Sequence, residues 1–455
     1  MTSRLGTLVI LGAGGDLSSR LLLPGVGRVL DARDEAPFLL VGVGQQAMTD
    51  AEWQSRVAAS FEAGGATGSQ SERVRLDSVY LQEDVTDPAA LQRILKRCEG
   101  VPALYFALPP SVTIAACTAL EQVELPEGTV LALEKPFGTD LASARALNQQ
   151  LAKLVPERQI HRVDHFLGKS TVLNLLGLRF ANRIFEQVWD RDNIDRIDIV
   201  FDETLALEGR AGYYDAAGAL VDMIQSHLLV VLALTVIEPP SSIDPDDLRG
   251  AMAQALRSVA VHDVSQSRRA QYTAGRIGDR PVPSYRDEHG VPTQSTTETL
   301  AETVLSVDNW RFAGVPVRLR SGKALGHLRK EIVIRFRDVP HLPVGLRGRE
   351  GPVRLRIALS PEQVNLDVML NGEGDPFTLD RMTLEAGFGP GELGPYGEVI
   401  HGILNSDPTL SLRSDMVEEC WRIVTPVLEA WRAGVVPLDT YRAGGSGPAN
   451  WSGAD

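Results

Sequence analysis

The chain has 455 residues, too many for one ordinary core, so two domains are expected and three at most. Hydrophobic residues make up 44% and charged residues 23%, which describes a globular rather than a disordered protein. The formal net charge of -14 argues against nucleic acid and anionic membrane surfaces as partners, and requires local positive groups wherever an anion binds.

Three cysteines, Cys98, Cys117 and Cys420, show no metal-ligand spacing, so no metal site is expected. An odd, sparse set reads as buried thiols of a reducing compartment, and a cytoplasmic location follows. The first apolar run, Leu8–Leu11, ends in glycines and reads as a strand rather than a signal peptide. The longest apolar run, Leu228–Ile237, is too short to span a bilayer.

Residues 7–15 give a buried strand and a glycine turn, Gly12-x-x-Gly15, before a helical pattern that starts at Asp16. Such a turn lets the backbone approach a pyrophosphate held at the helix N-terminus, although Leu17 stands where a third glycine is usual. Further strands are predicted at Phe38–Val43, Val79–Leu81, Ala103–Leu108, Val130–Leu133 and Gln159–Val163, with helical stretches between them. The alternation predicts a doubly wound parallel sheet, with the Gly12, Pro109-Pro110 and Glu134-Lys135-Pro136 turns at its carboxyl edge. Gly44-Gln45-Gln46 falls where an adenosine ribose is usually read.

Arg162-Val-Asp-His-Phe-Leu-Gly-Lys-Ser170 then places an acid, an imidazole and an ammonium group at a strand end, with a helix predicted over Thr171–Val188. A helix N-terminus with mobile positive charge favours an anion. A Walker A reading fails, because Val163 occupies the position that needs the first glycine.

After Ser170 the rhythm changes. Arg196–Phe201, Pro316–Arg320, Glu331–Phe336, Val353–Leu359 and Val364–Leu370 are strand-like, mostly without helices between them. They predict a largely antiparallel sheet in an α+β second domain. Domains of 1–168 and 169–455 are therefore expected. Ser265–Thr297 reads as a long excursion, and the tail after Leu438 as loop. Helix Ala216–Ile237 is apolar apart from Asp222, Gln225, Ser226 and His227; the first three share a face at helical spacing, with His227 next to it.

These blocks together resemble the glucose-6-phosphate dehydrogenase family. The resemblance rests on Gly12-Ala-Gly-Gly-Asp-Leu-Ser-Ser-Arg with Pro24, Glu134-Lys-Pro-Phe-Gly138, Arg162–Lys169, Arg210-Ala-Gly-Tyr-Tyr-Asp215 and Asp222-Met-Ile-Gln-Ser-His227. Gly314-Val-Pro316, Arg320-Ser-Gly-Lys323 and Tyr441…Gly447-Pro448 complete it, in order, over essentially the whole chain. It implies a Rossmann-type coenzyme domain joined to a larger α+β domain on a mainly antiparallel sheet. It also implies homodimers or homotetramers formed through that sheet. The implied reaction oxidises D-glucose 6-phosphate at C1 to the 6-phospholactone, with hydride passed to NADP or, alternatively, NAD, as the first step of the oxidative pentose phosphate pathway.

By this resemblance His227 is the general base and Asp164 the carboxylate that orients it. His165 and Lys169 bind the 6-phosphate, Glu203 and Asp222 accept from sugar hydroxyls, and Lys323 adds positive charge. Lys135 lies between coenzyme and sugar, and Gly12, Gly15, Asp16, Leu17 and Gln45 hold the coenzyme. The sequence departs from the family at Phe166 (usually tyrosine), Leu21 (often lysine), Ser226 (usually asparagine), Leu328 (often basic) and Gln45 (commonly arginine). Two other readings compete: a related sugar oxidoreductase of the glucose–fructose oxidoreductase type, and a coenzyme-sensing protein without catalysis. The phosphate-type pair His165 and Lys169 disfavours the first; the base–carboxylate pair disfavours the second.

Overall fold

The computed structural model describes residues 5–33, 38–209, 211–348, 351–372, 374–387, 389 and 391–451. Arg210, which opens one motif block, lies outside them, as do residues 452–455 of the tail. The chain divides into two compact units. The first is Met1–Ser170 with Pro239–Ala253 and Pro390–Trp421; the second is Thr171–Glu238 with Gln254–Gly389 and Arg422–Asp455.

The first unit is built on six parallel strands: β1 (Leu5–Leu11), β2 (Leu39–Gly44), β3 (Val79–Gln82), β4 (Val101–Phe106), β5 (Val130–Leu133) and β6 (Ile160–Val163). Their order is β6-β5-β4-β1-β2-β3, and the short strand Ser411–Leu412 adds antiparallel to the β6 edge. Strands β1, β2, β4 and β5 read as near-continuous apolar runs because helices cover both faces, as a parallel sheet requires. Leu8, Ile10, Leu40 and Tyr105 are buried in one core with Val26 and Leu30 of helix α1 (Leu23–Ala32). Val399 and Ile403 of helix Gly394–Leu404 enter the same core. Each such side chain adds about 1.5–3 kcal/mol on burial. The strand order reverses between β1 and β4, which opens a crevice at their carboxyl ends.

The second unit carries an eleven-stranded sheet. Strand β7 (Ile194–Asp202) runs parallel to Val317–Gly322 and antiparallel to Arg329–Phe336, with Arg354–Leu359, Glu362–Asn371 and Thr378–Gly387 following. On the other side come Leu300–Val307, Arg268–Thr273 and Leu438–Arg442. Charged residues alternate along the central strands and pair across them. Asp198 accepts from Arg318 at 2.7 Å and Arg196 at 2.9 Å, and Asp202 accepts from Arg320 at 3.0 Å. Such pairs specify register more than they add stability.

Three expectations are corrected. The Ser265–Thr297 excursion contains a strand of the large sheet, Arg268–Thr273, and a hairpin, Gly275–Ile277 with Arg280–Val282. The tail after Leu438 is likewise a strand, Leu438–Arg442, paired with Arg268–Thr273. Both segments are polar, and long-range pairing fixes them: buried Tyr441 donates to Lys323 O at 2.7 Å. The helix expected over Thr171–Val188 breaks into Ser170–Phe180 and Arg183–Glu186, because Asn182 Nδ2 takes the carbonyls of Gly177 and Leu178.

The helical run Ala211–Val236 is long and apolar enough to cross a membrane, but 89% of its apolar window is buried inside the protein. It bends at Gly218, whose φ of 66° lies in the left-handed region, and then winds as a π-helix over Leu220–Leu228.

Candidate functional site

In the first unit, β1 ends at Gly12, which has φ 90°. A Cβ there would sit 2.3 Å from the Ala107 carbonyl oxygen, so only glycine lets the chain turn between β1 and β4. The N–H groups of Gly12 and Ala13 both donate to Val43 O at 2.9 Å, and Gly15 N–H donates to Gly12 O at 3.0 Å. The chain then enters a wide turn, Ser18–Leu22, continuous with α1. Asp16 is exposed and pairs with Arg20 at 3.2 Å, while Leu17 packs against the core. Leu21 points outward. Gln45 lies exposed at the end of β2, its carbonyl accepting from Gln82 Nε2 at 3.1 Å.

A cation that sequence reasoning missed stands at this turn. Arg56, on helix α2 (Asp50–Ala63), donates through Nη1 to Gly14 O at 2.8 Å. Nothing in the helical pattern singles it out; only the packing of α2 brings it there.

The Asp164–Lys169 turn follows β6. Leu167, Gly168 and Lys169 N–H groups donate to the carbonyls of Asp164, His165 and Phe166 in succession, at 3.1, 3.2 and 3.1 Å. Asp164 is buried, and its Oδ1 accepts from Phe166 N–H at 2.9 Å. His165 and Lys169 are half-buried. Phe166 is buried, and Lys169 Nζ sits 5.0 Å from its ring centroid. The Phe166 ring thus supports the ammonium group by a cation–π contact.

Glu134 and Lys135 leave the end of β5, and the Lys135–Pro136 peptide is cis. They line a cavity of about 70 Å³ with Leu108, Pro110 and Pro136 at the carboxyl edge of the sheet. Tyr105 donates to Glu134 Oε1 at 2.6 Å, and Tyr396 also hydrogen-bonds this carboxylate. Desolvation raises the Glu134 carboxyl above its ordinary value, against the pull of Tyr105 and Lys135.

In the second unit, Glu203 follows β7 and holds two ammonium groups, Lys323 Nζ at 2.8 Å and Lys330 Nζ at 3.4 Å. Lys330 also lies 4.2 Å from the Phe201 ring centroid. Leu328 is exposed, so the basic residue brought to Glu203 comes from two positions later, on the paired strand.

Asp222 and His227 are buried within the π-helix Leu220–Leu228. The α-helical spacing predicted from sequence set His227 beside the Asp222 face. The wider winding changes that, because i and i+5 approach one another in a π-helix. Tyr213 donates to Asp222 Oδ1 at 3.2 Å, and Ser226 Oγ donates to Asp222 O at 2.5 Å. The N-terminus of this helix is held by Glu298, which accepts from Leu220 N–H at 3.0 Å.

The family profile for "Glucose-6-phosphate dehydrogenase, NAD binding domain" matches residues 9–174, and that for "Glucose-6-phosphate dehydrogenase, C-terminal domain" matches residues 176–453. The chain belongs to the glucose-6-phosphate dehydrogenase family. It is 34% identical to the glucose-6-phosphate 1-dehydrogenase of Zymomonas mobilis subsp. mobilis, covering 99% of this chain and 97% of that one. The crystal structure of glucose-6-phosphate 1-dehydrogenase from Mycobacterium avium aligns with a TM-score of 0.85 at 34% identity, covering 98% and 95%. A glucose-6-phosphate dehydrogenase in complex with its substrate glucose-6-phosphate aligns at 0.88 with 28% identity, covering 99% and 97%. The family profiles cover both the Gly12 turn and the π-helix.

Proposed function

We propose that the protein is a glucose-6-phosphate 1-dehydrogenase, oxidising D-glucose 6-phosphate at C1 to 6-phospho-D-glucono-1,5-lactone at the head of the oxidative pentose phosphate pathway. The observation that carries this reading is the Asp164–Lys169 turn. Its backbone bonds bury one carboxylate while leaving an imidazole and an ammonium group half-exposed, which suits a sugar phosphate.

His227 takes the C1 hydroxyl proton, and Asp164 stabilises the imidazolium that results. His165 and Lys169 hold the phosphate, the latter braced on Phe166. Glu203 and Asp222 accept from sugar hydroxyls, while Lys323 and Lys330 hold the Glu203 carboxylate in place. The glycine turn fits a dinucleotide, with Gly12, Gly15, Asp16 and Leu17 at the pyrophosphate and Lys135 towards the sugar. The nicotinamide, when bound, accepts the C1 hydride.

For the coenzyme, Gln45 supplies no charge, which supports relaxed choice between NADP and NAD. Arg56 is the nearby guanidinium that would favour the 2′-phosphate. Self-association through the large sheet is supported by Phe377, Met382 and Leu384, exposed on or beside its outer strand; light scattering on the purified protein tests it. Free, partly or fully buried thiols suit a cytoplasmic protein. The functional test is a panel of free and phosphorylated sugars with both coenzymes, read as coenzyme reduction. A strong preference for glucose 6-phosphate over free glucose is expected; a preference for a sugar without phosphate would overturn the reading.

A further inference from the structure

Tyr396 belongs to none of the motif blocks, yet it meets two of them. It lies in the first turn of helix Gly394–Leu404, and its ring stacks on His165 with centroids 5.5 Å apart and planes inclined by 13°. Phe166 meets the same imidazole edge-on at 5.2 Å. The phenol of Tyr396 donates to Glu134, which Tyr105 engages from β4. The approach is close: a Cβ at Gly168 would fall 2.3 Å from Pro395 O, so the substrate turn is pressed against the residue preceding Tyr396.

This chain of contacts ties three strand ends to one helix. Glu134 extends β5, Tyr105 belongs to β4, and His165 follows β6. Burial lifts both phenols above their ordinary range, so each stays a protonated donor to the carboxylate. An imidazole that meets a phosphate dianion works best as its cation. A phenol stacked face to face on that imidazole fixes the plane of the ring.

We propose that Tyr396, held by Glu134, is a positioning residue for His165 and so sets affinity for the phosphate of the substrate. This rests on the reading of His165 as a phosphate ligand. Tyr396 touches no reacting atom and acts through the imidazole.

The experiment is a double-mutant cycle. Tyr396→Leu is expected to raise KM for glucose 6-phosphate about five- to tenfold, the scale of a lost aromatic stack. kcat should stay within about twofold, and coenzyme Kd, measured by nucleotide fluorescence, should not move. Tyr396→Phe keeps the ring and loses only the tether, so about two- to threefold is expected. In a His165→Ala background, Tyr396→Leu should add less than about twofold, because the two residues act as a unit. A full Tyr396→Leu effect in that background, or an equal loss of coenzyme affinity, would overturn the proposal while leaving the phosphate site in place. A His165→Ala variant with unchanged KM would remove the phosphate reading itself, and this proposal with it. Should Tyr396→Leu fail to fold, the Tyr396→Phe cycle decides the matter by the same criteria.

Discussion

Two stretches carry the residues proposed for chemistry, and they are built in opposite ways. The Asp164–Lys169 turn closes on itself, with each backbone bond spanning three residues and Asp164 binding the N–H of Phe166. The Leu220–Leu228 helix takes its start from Glu298, 78 residues away, and from the left-handed bend at Gly218. A self-contained turn keeps its geometry when distant contacts change. A helix whose winding is set from outside does not, and π-helical stretches often mark functional positions for that reason.

The largest effect is expected in the distant-anchored stretch. His227→Asn should lower kcat about 10²–10⁴-fold with coenzyme Kd unchanged, the loss typical of a general base. A variant with near-normal kcat would take His227 out of the mechanism. Asp164→Asn should lower kcat less; a change in KM alone would show that Asp164 serves binding.

The turn is expected to act on binding. Lys169→Ala should raise KM for glucose 6-phosphate about tenfold or more, as loss of a charge-assisted phosphate contact implies, with little change on free glucose. Equal losses on both sugars would dissolve the distinction between the stretches.

Stability against pH sharpens the contrast between the units. Desolvation lifts Glu298 from 4.5 to about 7. Between these values the folded chain keeps a proton that the unfolded chain releases. Its contribution is therefore complete below about pH 4.5 and lost as pH rises through about 7. His161, buried in the first unit, is displaced the other way, from 6.5 to about 3, by desolvation and by Arg249. Its contribution is complete above pH 6.5 and is lost as pH falls towards 3. Thermal melts should show Glu298→Gln flattening the neutral side and His161→Gln the acid side, each by a few degrees. Identical pH profiles for wild type and both variants would refute this assignment.

The smallest effect concerns the coenzyme. Gln45→Arg should shift kcat/KM towards NADP several-fold, and Arg56→Ala away from it by a similar factor. Steady-state kinetics with both coenzymes checks this. Strong NADP selectivity that neither substitution alters would place the 2′-phosphate contact on other residues.

What was legible in the sequence follows the same division. Strands β1, β2, β4 and β5 were readable because burial on both faces makes them largely apolar runs between glycine and proline turns. The Asp164–Lys169 turn was readable because its partners are adjacent in sequence. Strands Arg268–Thr273 and Leu438–Arg442 were not, since polar composition hides a pairing that only the folded sheet supplies. Arg56 and Tyr396 were hidden for a like reason: each reaches its place by the packing of a helix remote in sequence. The face of His227 was misread because the residues themselves carry no sign of π-winding.

In the proposed reaction, hydride leaves C1 of glucose 6-phosphate for the nicotinamide. The most direct measurement is the mass of the reduced coenzyme formed from glucose 6-phosphate deuterated at C1. Deuterium in the reduced coenzyme, together with release of the 6-phospholactone, is the predicted result. Unlabelled reduced coenzyme, or none formed, would contradict it.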